Sequence, residues 1–132
     1  MKILADTNLF IKFCHRQPLP DEVEKCFDNS ATIRCISAIS VIEIFRLWKG
    51  GRLLDNPDTW LDPALPAWTI LPVNFPIARQ SVLWDWPHHD PADRLLAATA
   101  KIENIELWHT DTILKKLSGF PNRYFVNKIR AS

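Results

Sequence analysis

Apolar and polar positions follow two rhythms along this chain: short unbroken apolar runs, and stretches whose apolar residues fall three and four apart. The first run, Lys2–Ala5, predicts a strand, and Thr7–Cys14 predicts a helix opening directly after it. Val23, Cys26 and Phe27 stand at i, i+3 and i+4, which predicts a second helix over Asp21–Asn29. Ile33–Ile36 reads as the second strand, and Ala38–Trp48 as a strongly apolar helix that Gly50-Gly51 would end. Pro57, Pro63 and Pro66 leave room only for a short helix around Asp58–Leu61. A strand over Trp68–Leu71 and a helix over Ile77–Trp84 follow. Pro91–Ile102 is a clear helix, with Leu95, Ala98, Thr99 and Ile102 on one face. The remaining chain predicts a strand at Glu106–His109, a helix at Thr112–Leu117 and a short strand at Tyr124–Val126. Apolar runs alternating with helical periodicities imply an α/β fold, a parallel sheet covered on both faces.

No repeat, low-complexity tract or long linker divides the chain, so residues 1–132 are expected to form a single domain. With 47% apolar residues there is ample material for a core. No apolar run reaches the length of a membrane span. The start, MKILADTNLF, has too short an apolar stretch for a secretory signal, and a cytoplasmic address is the expectation. Cys14, Cys26 and Cys35 are odd in number and lack C-x-x-C spacing, which favours reduced thiols over a disulfide or a metal site. The net charge of +1 gives a nucleic-acid partner no general basic attraction, so any basic footprint must be local.

Four scattered acids carry the candidate chemistry. Asp6, in Asp6-Thr7-Asn8, falls at the carboxyl end of the first strand, where open α/β sheets bind ligands. All three residue types also cap helices well, so Asp6 alone admits either reading. Glu43 lies on a helix whose polar residues, Ser40, Glu43 and Arg46, form one narrow stripe. A carboxylate beside so much apolar surface needs a partner or a cation. A capping box from Ser40 and a pairing with Arg46 compete for it, and the first weakens if Ser37 caps a helix starting at Ala38. In Asp90-Pro91-Ala92-Asp93, Asp90 is the natural cap and Asp93 sits in the first turn, where the helix dipole favours a carboxylate. Asp111 repeats the arrangement of Asp6 after the strand Glu106–His109. Together the four acids face one sheet edge and could meet around one or two Mg2+ or Mn2+ ions, which take hard oxygen ligands. Such a site activates water for attack on a phosphodiester.

The segments Asp6-Thr7-Asn8, Ser37-Ala38-Ile39-Ser40-Val41-Ile42-Glu43 with Gly50-Gly51-Arg52-Leu53, His89-Asp90-Pro91-Ala92-Asp93-Arg94-Leu95-Leu96-Ala97-Ala98, and Thr110-Asp111 resemble the PIN-domain ribonucleases. More narrowly, they resemble the VapC toxins of bacterial and archaeal toxin–antitoxin pairs. The resemblance implies a Rossmann-like, three-layer α/β/α fold with a five-stranded, mostly parallel sheet. It implies that Asp6, Glu43, Asp93 and Asp111 are the metal-binding, catalytic set. Asn8, Ser37 and Thr110 would be accessory groups that orient the carboxylates or a metal water. Asp90 would be an outer ligand beside its favoured role as a cap, and Arg94 would contact phosphate or an opposing acid, with a surface salt bridge an equal alternative. A homodimer, an RNA substrate and a VapB-like antitoxin that blocks the site are also implied. His109, where a small or hydroxylated residue often precedes the last acid, and the stretch Arg123–Lys128 depart from the pattern.

Other features carry less. His88 and His89 read as a solvent-facing loop pair, since this type of metal site needs no histidine base. Trp84 and Trp86 could stack bases, but burial in a core or dimer is the commoner fate of tryptophan. Lys49, Arg52, Lys115 and Lys116 could form a phosphate-binding rim, although scattered cations are usually a solvated face. The expected function is a metal-dependent endoribonuclease, the toxin of a toxin–antitoxin pair. The alternative is a non-catalytic RNA- or partner-binding module on the same fold, which would gain little from clustered negative charge near phosphates. A phosphatase with Asp6 as nucleophile ranks last, because Asn8 stands where that chemistry wants a second acid.

Overall fold

Alternation along the strands sorts the core into two halves. In β1 (Lys2–Ala5), Ile3 and Ala5 enter one apolar cluster and Leu4 the other. Ile36 and Cys35 divide in the same way on β2 (Ile33–Ser37), as do Trp108 and Leu107 on β4 (Glu106–His109). A sheet buried on both faces needs a helical layer on each, which is the three-layer α/β/α arrangement found here. The computed structural model describes residues 1–128.

Between the strands run α1 (Thr7–Cys14), α2 (Asp21–Asp28), α3 (Ala38–Lys49), α4 (Pro57–Ala64), α5 (Phe75–Leu83) and α6 (Pro91–Glu103). β3 (Thr69–Leu71) and β5 (Asn122–Tyr124) complete a sheet of order β3-β2-β1-β4-β5. All four pairings are parallel, with Leu4 opposite both Cys35 and Leu107. Leu9, Phe10, Val23, Phe27, Ile44 and Leu61 from α1 to α4 fill one side of the sheet. Leu96, Ala97 and Ala100 of α6, with Leu114 and Phe120, fill the other. Cys14, Cys26 and Cys35 are free thiols.

The structure corrects the sequence reading at three places. The proline-rich stretch forms two full turns of α4, because Asn56 caps it, Pro57 occupies its first turn and Pro63 falls only in its last. The helix expected at Thr112–Leu117 shrinks to a 3-10 turn over Leu114–Lys116, since Leu114 is its one buried side chain and a positive φ at Gly119 turns the chain soon after. The last strand is Asn122–Tyr124 rather than Tyr124–Val126. Its register places Asn122 beside Leu107 and Tyr124 beside His109, while the apolar Phe125 comes after the strand and packs on Trp108 at 4.9 Å between ring centroids.

Candidate active site

The carboxyl edge of the sheet is where β1 and β4 leave the ladder, and Asp6 ties their ends together. Its Oδ1 accepts from Leu9 N at 2.7 Å, capping α1, and its Oδ2 accepts from Thr110 N at 3.1 Å, just past β4. The cap expected for Asp6 is therefore real, but it occupies one oxygen. Burial pushes the Asp6 carboxyl up to about 7; the two backbone donors oppose this, and the charges of Asp111 and Glu43 add to it.

Thr7, next in the chain, links Asp6 to α3. Its Oγ1 lies 2.8 Å from the buried Ser40 Oγ and 2.5 Å from Glu43 Oε1. Thr7 Oγ1 is the donor toward both, so its one proton is shared between Ser40 Oγ and the Glu43 carboxylate, which only accepts when ionised. Glu43 is half-buried, and burial raises its pKa against this hydrogen bond, with Asp93 and Asp90 raising it further. Ser40 caps nothing: α3 starts at Ala38, and Ser37 caps it by accepting from Ile39 N at 3.1 Å. The capping-box alternative for Glu43 falls with that. Sequence pattern pairs Ser40 with Glu43 only as a capping box and does not join Thr7 to Glu43, a contact that depends on how α1 meets α3.

Asp90 caps α6, its Oδ1 accepting from Ala92 N at 2.9 Å and Asp93 N at 3.4 Å. Asp93 then turns inward, where burial raises its pKa, the hydrogen bond from His88 lowers it, and Asp111 and Asp90 raise it. His88 Nε2 is 2.7 Å from Asp93 Oδ2, with both side chains 16% exposed. This corrects the reading of His88 as a solvent-facing loop residue; His89, its neighbour, is exposed.

On the far side, Asp111 Oδ1 accepts from Ile113 N at 2.7 Å and Leu114 N at 3.0 Å, and Asp111 N donates to His109 Nδ1 at 3.2 Å. His109 is fully buried, and burial lowers its pKa, so a neutral ring accepts at Nδ1 and donates from Nε2 to Asn122 Oδ1 at 3.0 Å. The departure at His109 thus shapes the backbone that presents Asp111.

The accessory residues divide. Thr110 touches Asp6 through its backbone, and Asn8 Nδ2 donates to Thr110 Oγ1 at 2.7 Å, bracing the same corner. The Ser37 hydroxyl serves its own helix. Among the described residues Arg94 meets no acid and lies in no surface ion pair. It is buried and donates to the carbonyls of Ser81 at 2.6 Å, His88 at 2.7 Å, Val82 at 3.5 Å and Trp84. Trp84 and Trp86 stack on each other 4.0 Å apart and lean on Phe120. Lys49, Arg52, Lys115 and Lys116 are exposed.

Two properties decide what this edge can do. Among the described residues no Lys or Arg forms an ion pair with Asp6, Glu43, Asp93 or Asp111, although their charges repel one another. Hard oxygen donors, partly desolvated and short of positive charge, fit a divalent cation. Among the described residues, the metal-ligating atoms of His88, Asp90 and Asp93 approach within 4.8 Å of one another.

The sequence model of the PIN domain matches residues 3–119. The chain belongs to the PIN domain family. Its fold is similar to that of VapBC2 from Rickettsia felis, solved bound to a DNA fragment from its promoter, with a TM-score of 0.70 and 17% identity over 94% of this chain and 98% of that one. DNA-bound VapBC from Salmonella typhimurium gives a TM-score of 0.71 at 17% identity over the same shares. A toxin–antitoxin complex from Klebsiella pneumoniae gives 0.62 at 22% identity, covering 83% of this chain and 87% of that one. No curated protein sequence matches the chain. Membership agrees with the five-stranded parallel sheet and its helical layers.

Proposed function

We propose that this PIN domain protein is a metal-dependent endoribonuclease, the toxin of a toxin–antitoxin pair, formed as one domain over residues 1–132. The observation that carries the reading is that no Lys or Arg pairs with Asp6, Glu43, Asp93 or Asp111 among the described residues, although their charges repel one another. Charge left uncompensated inside a fold costs stability, and a bound divalent cation offsets it. Asp6, Glu43, Asp93 and Asp111 would hold Mg2+ or Mn2+, one ion or two. When bound, the cation supplies polarisation of a water and neutralisation of charge on the phosphodiester.

The chain's own residues do the positioning. Leu9 N and Thr110 N fix both oxygens of Asp6. Thr7 fixes Glu43, and Ile113 N and Leu114 N fix Asp111. Three of the four carboxylates are thus held by separate devices, and His88 Nε2 lies 2.7 Å from the fourth, Asp93, which gives the preorganisation that electrostatic catalysis needs.

The substrate in this reading is RNA, the partner a VapB-like antitoxin that covers the site, the assembly a homodimer and the compartment the cytoplasm. The solved relatives named as VapBC and toxin–antitoxin complexes support the partner. No described helix is long and apolar enough to cross a membrane. The test is cleavage of total cellular RNA with mapped ends, with Mg2+ or Mn2+ and with chelator, run beside Asp6→Asn and Asp93→Asn. Cleavage that needs the cation and disappears in both variants is expected. Undiminished cleavage in both would mark a contaminating nuclease, and metal-independent RNA binding without cleavage would leave a non-catalytic module.

A further inference from the structure

We infer that His88 supplies an imidazole nitrogen to the divalent cation at Asp90 and Asp93, making the site a mixed nitrogen–oxygen one that leans from Mg2+ toward later first-row cations. This rests on the reading of the acidic edge as a metal site and deepens it.

His88 lies in the connection between α5 and α6, a place where a side chain is free to face solvent. Instead it is half-buried against Asp93, Nε2 to Oδ2 at 2.7 Å. Its ring nitrogen, an Asp90 oxygen and an Asp93 oxygen fall within 4.8 Å of one another. Neighbouring ligands on a six-coordinate ion at ~2.1 Å are about 3 Å apart, close to the 2.7 Å between His88 and Asp93, and opposite ones about 4 Å, so a small inward shift of Asp90 completes one coordination sphere. Asp90 spends Oδ1 on the amides of α6, leaving Oδ2 for another partner. The repulsion of Glu43 by both Asp90 and Asp93 joins this cluster to the four-acid edge.

The cluster is also held still. Asp90 and Asp93 share the first turn of α6, and Arg94 of the same turn donates to the His88 carbonyl at 2.7 Å. The guanidinium also grips the Ser81 and Trp84 carbonyls, so the loop carrying His88 is clamped to the helix carrying both acids. A nitrogen on a fixed backbone is a better ligand than one on a mobile loop. Imidazole nitrogen suits later first-row metals better than Mg2+, whose affinity rests on hard oxygen.

The test uses the full chain freed of metal, with Mn2+ as a spectroscopic probe and Co2+ and Mg2+ titrated calorimetrically. Pulsed electron paramagnetic resonance of the Mn2+ complex is expected to show a coordinated imidazole nitrogen in the wild type and in His89→Ala, and none in His88→Ala or His88→Gln. His109 does not confuse the signal, because both its ring nitrogens are engaged by Asp111 N and Asn122. Co2+ affinity should fall about tenfold or more in His88→Gln, with Mg2+ affinity changing far less. Gln keeps a hydrogen-bond donor for Asp93, so Co2+ affinity retained in His88→Gln would reduce His88 to a positioning residue and overturn the inference. Mn2+ bound to the wild type without nitrogen coupling would overturn it as well, while leaving the metal site standing. Failure of the wild type to bind any of the three ions would instead bring down the underlying reading, and with it this one.

Discussion

Thr7 shows how much one hydroxyl can settle at this site. It stands between the buried Ser40 and Glu43, and each depends on it for a hydrogen bond. Thr7→Val keeps the shape and removes the link, leaving two polar groups without that partner. The expected cost is about 1–3 kcal/mol in denaturant unfolding, with loss of RNA cleavage, whereas Thr7→Ser should recover most of both. Equal stability of the Val and Ser variants would show that Glu43 finds another support. Asp6 makes a second prediction, on pH. Its folded pKa is raised from 3.8 to about 7, so the folded chain holds a proton that the unfolded chain releases. The stability this gives is fully present below 3.8 and is lost as pH rises to about 7. Thermal melts in chelator should therefore show the wild type losing stability over that window and Asp6→Asn losing less, and parallel curves would remove burial as the cause. Asp6 was legible from its place after β1 because strand ends are set by local pattern. The Thr7 contact was not, since it depends on how α1 meets α3.

At the scale of elements, the joint between α5 and α6 rests on a charge that has no ion-pair partner among the described residues. Arg94 is buried and saturated by carbonyls, and its guanidinium lies 5.4 Å from the Trp86 ring centroid. Sequence alone presents this arginine as one more charged residue beside Asp93, and only the fold reveals the carbonyls that converge on it. Arg94→Ala should cost about 1–3 kcal/mol, because it leaves buried carbonyls without a donor. Arg94→Lys should recover little, because a compact ammonium cannot reach carbonyls spread around a planar fork. Near-UV circular dichroism should change in both variants as the Trp84–Trp86 stack loosens; an unchanged spectrum with an unchanged melting point would refute the clamp. The same dependence on tertiary partners explains the misplaced β5. Tyr124-Phe125-Val126 has the stronger strand pattern, but Asn122 pairs with β4 and reaches His109, a polar contact that periodicity cannot register.

Across the whole molecule, the parallel order and the two-sided core were readable because both follow from short-range alternation in β1, β2 and β4. For the acids, short-range pattern carries only the expectation of a shared edge, since the distances among them depend on helix placement. That edge leads to the last prediction. The chain's net charge is only +1, and under the proposed function its acids lie where an RNA phosphate would have to approach. The protein must therefore be least comfortable, and most receptive to cations, when those acids are ionised. Burial raises the pKa of Asp6, Glu43 and Asp93 together, so protons compete with metal at low pH. Mg2+ or Mn2+ at about ten times its dissociation constant should stabilise the fold by about 1.4 kcal/mol at pH 8, seen as a higher melting point. At pH 5 the shift should be much smaller, and in Asp93→Asn it should be reduced at both pH values. Ca2+ or Na+ at matched ionic strength separates site binding from general screening, because only a specific ion should keep its effect when background salt is raised. A shift of equal size at pH 5 and pH 8, or one untouched by Asp93→Asn, would place the cation elsewhere on the molecule.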